Sequence, residues 1–193
     1  MYTIKWTRLQ AEIFRFLSIK AGQSLNLRGI ARSLKRSPTA VSQALNDLEK
    51  EGLVKIKKAE NMNLLSIEFN RDNPRAIELK RVENIKLIYE SGLAKFLEES
   101  FPGCTVILFG SYSRGDDFFG GDGDIWIDKG EGHRSDIDIA VIGSKEKQLK
   151  LGEFDKKLER TVFINFYPSF KEIHKHLKDN ILNGIVLSGS IDL

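Results

Sequence analysis

One cysteine, four prolines, two methionines and two tryptophans are all that 193 residues hold of these types. With Cys104 alone, no internal disulfide can form and no cysteine-based metal cluster can be built. Its neighbours are apolar and it adjoins an expected strand, so it reads as a buried structural thiol. No apolar run approaches the roughly 18 residues a membrane-spanning helix needs. The opening Met1-Tyr2-Thr3-Ile4-Lys5-Trp6 lacks the apolar stretch of a secretory leader. The expectation is a soluble cytoplasmic protein with no membrane partner. Wholesale disorder is excluded too, because 41% of the residues are hydrophobic and a core can be buried.

What is present is unevenly distributed. The net charge of +3 is the sum of a basic front (residues 1–72, net +6) and an acidic back (residues 73–193, net −3). That asymmetry suggests polyanion contact in front and metal-binding carboxylates behind. In the front, Leu9, Ile13, Phe16 and Leu17 recur at helical spacing over residues 6–20. Leu27, Ile30, Ala31 and Leu34 mark a short second helix. Ser37-Pro38 supplies an N-cap and a first-position proline for a third helix, which runs to Lys50 with Val41, Leu45 and Leu48 inward. Leu53–Lys58 and Leu65–Phe69 alternate apolar and polar residues as strands do, with a turn expected at residues 60–63.

Beyond Arg71-Asp72-Asn73-Pro74 the pattern changes. A long helix is expected to Ser100, stopped by Phe101-Pro102-Gly103. Then come a strand (105–109), a Gly/Asp-rich loop, a strand (136–142), a charged helix (about 145–160), a strand (161–167) and a last helix (170–183). Strands interleaved with helices give an α+β fold. The expected division is residues 1–72, a connecting helix over 73–100, and a second domain over 101–193.

Three helices followed by a hairpin resemble a winged helix-turn-helix. The resemblance covers residues 1–70 and implies double-stranded DNA as partner. The third helix would enter the major groove, and the hairpin wing would lie on the backbone or minor groove. Thr39, Ser42, Gln43 and Asn46 are the third helix's short polar side chains, able to bond base edges or phosphates. Lys35, Arg36, Lys55, Lys57 and Lys58 place cations where a phosphate backbone passes. The alternative is a module that mediates protein contacts only. A homodimer reading two half-sites is a further expectation.

In the back, the apolar strand Val106–Phe109 runs into Gly110-Ser111. Glycine there lets a phosphate approach the backbone, and exposed N–H groups with the Ser111 hydroxyl can cradle an anion. Arg114 adds charge, and Gly115 closes the turn. Ser135-Asp136-Ile137-Asp138 places two carboxylates at i and i+2 on one strand face. Two acids held so close are best tolerated when exposed or when shared by a cation. Hard oxygen ligands on a rigid strand suit Mg²⁺ that also touches substrate phosphates.

Together these motifs resemble the polymerase-beta-type nucleotidyltransferases, the minimal ones most closely, over residues 80–193. The resemblance implies transfer of a nucleoside monophosphate from an NTP to a hydroxyl acceptor. Gly110, Ser111, Arg114 and Gly115 would hold the nucleotide, and Asp136 and Asp138 would serve as catalytic residues binding two Mg²⁺ ions. It also implies a third carboxylate on a later strand. The matching strand, Thr161–Tyr167, has no acid, and Asn165 takes the central polar position. An amide oxygen ligates a metal weakly and cannot act as a base. Asp155 and Glu159 are fallback acids, poorly placed on a helix.

The second departure is the long segment 116–132, with Gly-Gly-Asp-Gly between Phe118-Phe119 and Ile125-Trp126-Ile127. It reads as a hairpin: a lid, a ribbon docking a protein partner, a source of the missing acid, or plain surface. His174 and His176, two apart and expected to face different ways, suggest no metal site. Two functions remain open: a DNA-binding nucleotidyltransferase, or a transcription regulator whose second domain binds nucleotide or a protein partner without turnover.

Overall fold

A computed structural model describes residues 5–58, 65–119 and 136–191. The expected turn at 60–63 and most of the segment 116–132, including its hairpin, lie outside the described residues. The chain divides into two compact units, one ending at Lys80 and the other beginning at Arg81. The division falls inside the helix that follows Pro74, rather than at residue 72 or 100.

The first unit is built from α1 (Arg8–Ile19), β1 (Leu25–Asn26), α2 (Leu27–Ser33), α3 (Pro38–Lys50), β2 (Val54–Lys58) and β3 (Leu65–Phe69). Each helix start is capped by a side chain. The Thr7 hydroxyl accepts from the Gln10 N–H, and the Thr7 N–H donates back to the Gln10 side chain. Asn26 caps α2 and Ser37 caps α3, each accepting from the N–H three residues on. Ile13, Phe14, Leu17, Ile30, Val41, Leu45, Leu48 and Ile67 are buried to within 1%. The two-residue β1, unannounced by any alternation, joins β3 and makes a three-stranded antiparallel sheet in the order β1-β3-β2.

The second unit is a four-stranded sheet with helices on both faces. Its strands are β4 (Thr105–Phe109), β5 (Ile137–Ile142), β6 (Val162–Tyr167) and β7 (Ile185–Ser188), in the order β6-β5-β4-β7. β4 is antiparallel to β5 and β7, while β5 and β6 run parallel. One face, with Val106, Leu108, Ile137, Ile139, Val141, Ile164 and Phe166, packs with Leu93, Leu97 and Leu158. The other, with Ile107, Phe109, Ala140, Ile142 and Tyr167, packs with Phe170, Ile173 and Ile181. This alternation fixes which side chains share a face with Asp138.

Five elements differ from expectation, one of them β7, a strand that was not expected at all. The long helix is two: α4 (Pro74–Glu90) and α5 (Leu93–Ser100). Gly92, at φ +85°, takes a left-handed conformation that ends the first helix. The charged helix shrinks to α7 (Gly152–Leu158), and the run before it is not helical although its Leu149 and Leu151 pack against the core. The last helix is a 3₁₀ turn (Phe170–Glu172) followed by α8 (Lys175–Leu182). The Gly-Ser turn is itself the start of a one-turn helix, α6 (Gly110–Arg114). Cys104 is half-buried rather than buried. Among the described residues no helix is long and apolar enough to cross a membrane.

Candidate nucleic-acid interface and acidic site

On α3, Thr39, Gln43 and Asn46 are exposed at i, i+4 and i+7, while Ser42 is half-buried toward the flank. The helix therefore presents one polar stripe, opposite Val41, Leu45 and Leu48. The expected cations divide into two groups. Arg36 donates from Nη2 to Glu12 at 2.9 Å and braces the start of α3 against α1. Arg36 first, and Arg8 next, hold the Glu12 carboxyl below its ordinary range. Lys55 is bonded to Asp72, whose carboxyl it lowers, and Lys57 lies 3.8 Å from Glu68. Lys35 and Lys58 are exposed and form no ion pair among the described residues.

Sequence reading missed two further cations. Arg28 and Arg32 are exposed on α2, one turn apart, and neither has an ion-pair partner among the described residues. Their i, i+4 spacing opposite Ile30 and Ala31 was the available signal. Lys35 itself sits at φ +53°, where the Arg36 N–H reaches back to the Ala31 carbonyl. That is the position glycine usually fills after a helix.

In the second unit, β4 ends beside the start of β5, with Phe109 paired to Asp138. Gly110 follows at φ +75°, and a Cβ placed on it would lie 2.5 Å from Oδ2 of Asp138. Only glycine allows the carboxylate this approach. Asp138 and Asp136 are both half-buried. The Asp138 carboxyl is held above the ordinary carboxylate range, by burial first and by the charge of Asp136 second. The Ser113 hydroxyl donates to the Gly110 carbonyl at 2.8 Å, tightening α6. Gly115 closes α6 at φ +81°. Ser111 is half-buried at its first turn. Arg114 is held from two sides, by Asp116 at 3.0 Å and by the Asn180 side chain at 3.1 Å.

Asn165 lies on the same sheet face as Asp138 but pairs with Ala140, one step further along. Its amide points to the Ile139 carbonyl at 3.5 Å. The residue opposite Asp138 is Phe163. Asp155 accepts from the Val162 N–H at 3.0 Å, so it braces the start of β6. Glu159 ends α7 at φ +52°. His174 precedes α8 as its N-cap, which brings its ring to 5.6 Å from that of His176; both are exposed.

A buried polar cluster supports this corner and was not foreseen. Asp117 and Arg160 pair at 3.1 Å with both side chains 1% exposed. Asn84 donates to Asp117 at 2.6 Å and to the Tyr112 carbonyl at 2.9 Å, and the Arg160 guanidinium covers the Phe119 ring. The Thr161 carbonyl, next to Arg160, receives the Ile137 N–H at 2.9 Å. A cleft of about 720 Å³ lies at the far end of the sheet, against Phe101, Cys104, Ser169 and Ser188, and holds none of the expected site residues.

Residues 6–61, which include the three capped helices and β2, fit the model of the MarR family. The N-terminal unit carries a winged helix of the MarR type. The match covers well under half of the chain and leaves the second unit unassigned. No curated protein matches the chain. Among solved structures, a mutant of Lactococcus lactis ZitR is 24% identical over 52% of this chain and 66% of its own, with a TM-score of 0.40. The chain thus spans just under two thirds of that protein's length. AdcR from Streptococcus pyogenes is 21% identical over 50% and 69%, with a TM-score of 0.39. MepR of S. aureus, solved with DNA, is 19% identical over 49% and 81%, with a TM-score of 0.36. These likenesses are too loose to carry an argument about this chain.

Proposed function

We propose that this protein is a DNA-binding transcription regulator that reads double-stranded DNA through its MarR-type winged helix. The exposed stripe Thr39, Gln43 and Asn46 on α3 carries this reading. Such side chains bond base edges and phosphates in a major groove. Arg28, Arg32, Lys35 and Lys58 provide the sequence-independent attraction to the backbone. Arg36, Lys55 and Lys57 are assigned mainly to bracing the unit. Gel shifts over a salt series test the reading. Affinity is expected to fall steeply with salt, and Lys58→Glu together with Arg32→Glu is expected to abolish the shift at moderate salt. A wild-type chain that binds no duplex at low salt would refute the proposal.

For the second unit we infer a site for a nucleotide's phosphates and Mg²⁺, formed by Gly110, Ser111, Asp136 and Asp138, with Arg114 and Gly115 beside it. The close approach of Asp138 to Gly110 supports this. It sets two mutually repelling acids beside the turn, where a divalent cation carrying phosphate oxygens would relieve them. The donor set fits Mg²⁺: two carboxylates, with phosphate oxygens and water completing the shell. When bound, the metal would neutralise phosphate charge. Binding without turnover is favoured over transfer, since Phe163 rather than an acid stands opposite Asp138 on β6. Calorimetry with ATP and Mg²⁺ tests the site. Binding is expected in the wild type and severely weakened in Asp138→Asn. Incorporation of labelled nucleotide into any acceptor, abolished by Asp138→Asn, would restore the transferase reading.

A further inference from the structure

Asp138 and Ala140 follow one another along one face of β5, and Asp136 immediately precedes the strand. The side chains of Ala140 and Tyr167 pack beneath Phe170 and Ile173, whereas Ile164 and Phe166 pack into the opposite core. Alternation along β6 therefore puts Phe163 on the Asp138 face. The two residues are register partners in a parallel pair. Neighbouring strands lie about 4.8 Å apart, so the ring starts one strand spacing from the carboxylate. Phe163 is 51% exposed. The layer of Phe170, Ile173 and Ile181 that covers the rest of this face does not include it.

β5 lies between β4 and β6, so Gly110 and Phe163 bracket the acid pair from opposite sides. The separation is two strand spacings, about 10 Å. A ligand lying across β5 would meet the Gly110 turn, then two carboxylates suited to a cation, then an open aromatic face. A metal-bound nucleotide presents its phosphates with the metal at one end and, beyond the ribose, a planar base at the other. Aromatic side chains hold bases by stacking without regard to hydrogen-bond pattern.

We propose that Phe163 is the platform on which the nucleobase stacks, with the phosphates held at Gly110 and the acid pair. This rests on the nucleotide-site reading above and adds the group that recognises the base end. Stacking tolerates any base, so all four ribonucleotides are expected to bind, with purines favoured for their larger ring area.

The test uses the full chain with Mg²⁺, titrated calorimetrically with ATP, GTP, CTP and UTP and with inorganic tripolyphosphate, which has no base. Phe163→Ala is expected to weaken ATP by roughly five- to a hundredfold while leaving tripolyphosphate unchanged. Asp138→Asn is expected to weaken both. Phe163→Trp is expected to keep ATP affinity, with the added tryptophan's emission quenched on binding. Because Phe163 is exposed, Phe163→Ala should melt like the wild type, so loss of ATP affinity is not loss of fold. If ATP and tripolyphosphate bind through Asp138 but Phe163→Ala changes neither, the stacking proposal is overturned and the phosphate site stands. If Phe163→Ala instead alters only self-association in sedimentation, it is overturned in favour of a contact between copies. If neither compound binds the wild type, the phosphate site and the stacking proposal fall together.

Discussion

The two units use charge in opposite ways. In the first, the cations are on the outside: Arg28, Arg32, Lys35 and Lys58 project from helix and strand surfaces into water. In the second, the decisive charges sit within the packing, Asp138 against Gly110 and Asp117 against Arg160. Exposed charge acts at a distance, is screened by salt and tolerates small displacements. Buried charge acts through contact, and a shift of an ångström or one added methyl group breaks it. The winged helix is therefore expected to degrade gradually under substitution, and the second unit abruptly.

The sharpest break in that comparison comes from the buried pair. Asp117→Ala strands the Arg160 guanidinium and removes a partner of Asn84. It is expected to cost about 3–5 kcal/mol in the second unit's unfolding, read by chemical denaturation. DNA affinity should stay the same if the units are energetically separate, and a parallel loss of DNA binding would show that they are not. Gly110→Ala comes next. It sets a Cβ against Oδ2 of Asp138 and forces a left-handed conformation costing roughly 1–2 kcal/mol. ATP–Mg²⁺ binding should disappear while the gel shift is untouched, and retained ATP affinity would remove the close approach from the argument.

The smallest effect tests the first unit, where stability and function should move in opposite directions. Lys35→Gly relieves the positive φ and is expected to stabilise by about 1 kcal/mol, seen as a higher melting temperature. The same change removes an exposed cation and should weaken DNA binding by a few-fold. A variant that is more stable and binds DNA as tightly as the wild type would mean that Lys35 does not face the duplex.

The first unit was readable because its signals are local. Ser37-Pro38 announces α3, and the i, i+4, i+7 spacing of Thr39, Gln43 and Asn46 opposite Val41, Leu45 and Leu48 fixes its exposed face. The short β1 escaped notice because two residues, Leu25 and Asn26, carry no alternation. In the second unit β4, β5 and β6 were legible from apolar runs, but β7 and the helix extents were not. Gly92 splits α4 from α5, and the Lys-rich run before α7 has helix-forming residues but docks through Leu149 and Leu151 without forming a helix. Of the expected site, Gly110, Asp136 and Asp138 do converge. Asn165 falls one register step away, which no strand pattern reveals without knowing how β5 and β6 align.

Sequence alone determined the charge division and the motifs: a basic front with a winged-helix pattern, and an acidic back with Gly110-Ser111 and Asp136-Ile137-Asp138. Capping, periodicity and i, i+2 spacing act within a few residues, so the chain displays them directly. The tertiary structure alone decided what surrounds those motifs. It paired Arg160 with Asp117 across 43 residues and tied Arg36 to Glu12 across 24. It also placed Phe163, not Asn165, opposite Asp138. Such pairings depend on strand register and on which groups are buried together, and both are set by packing between segments far apart in the chain.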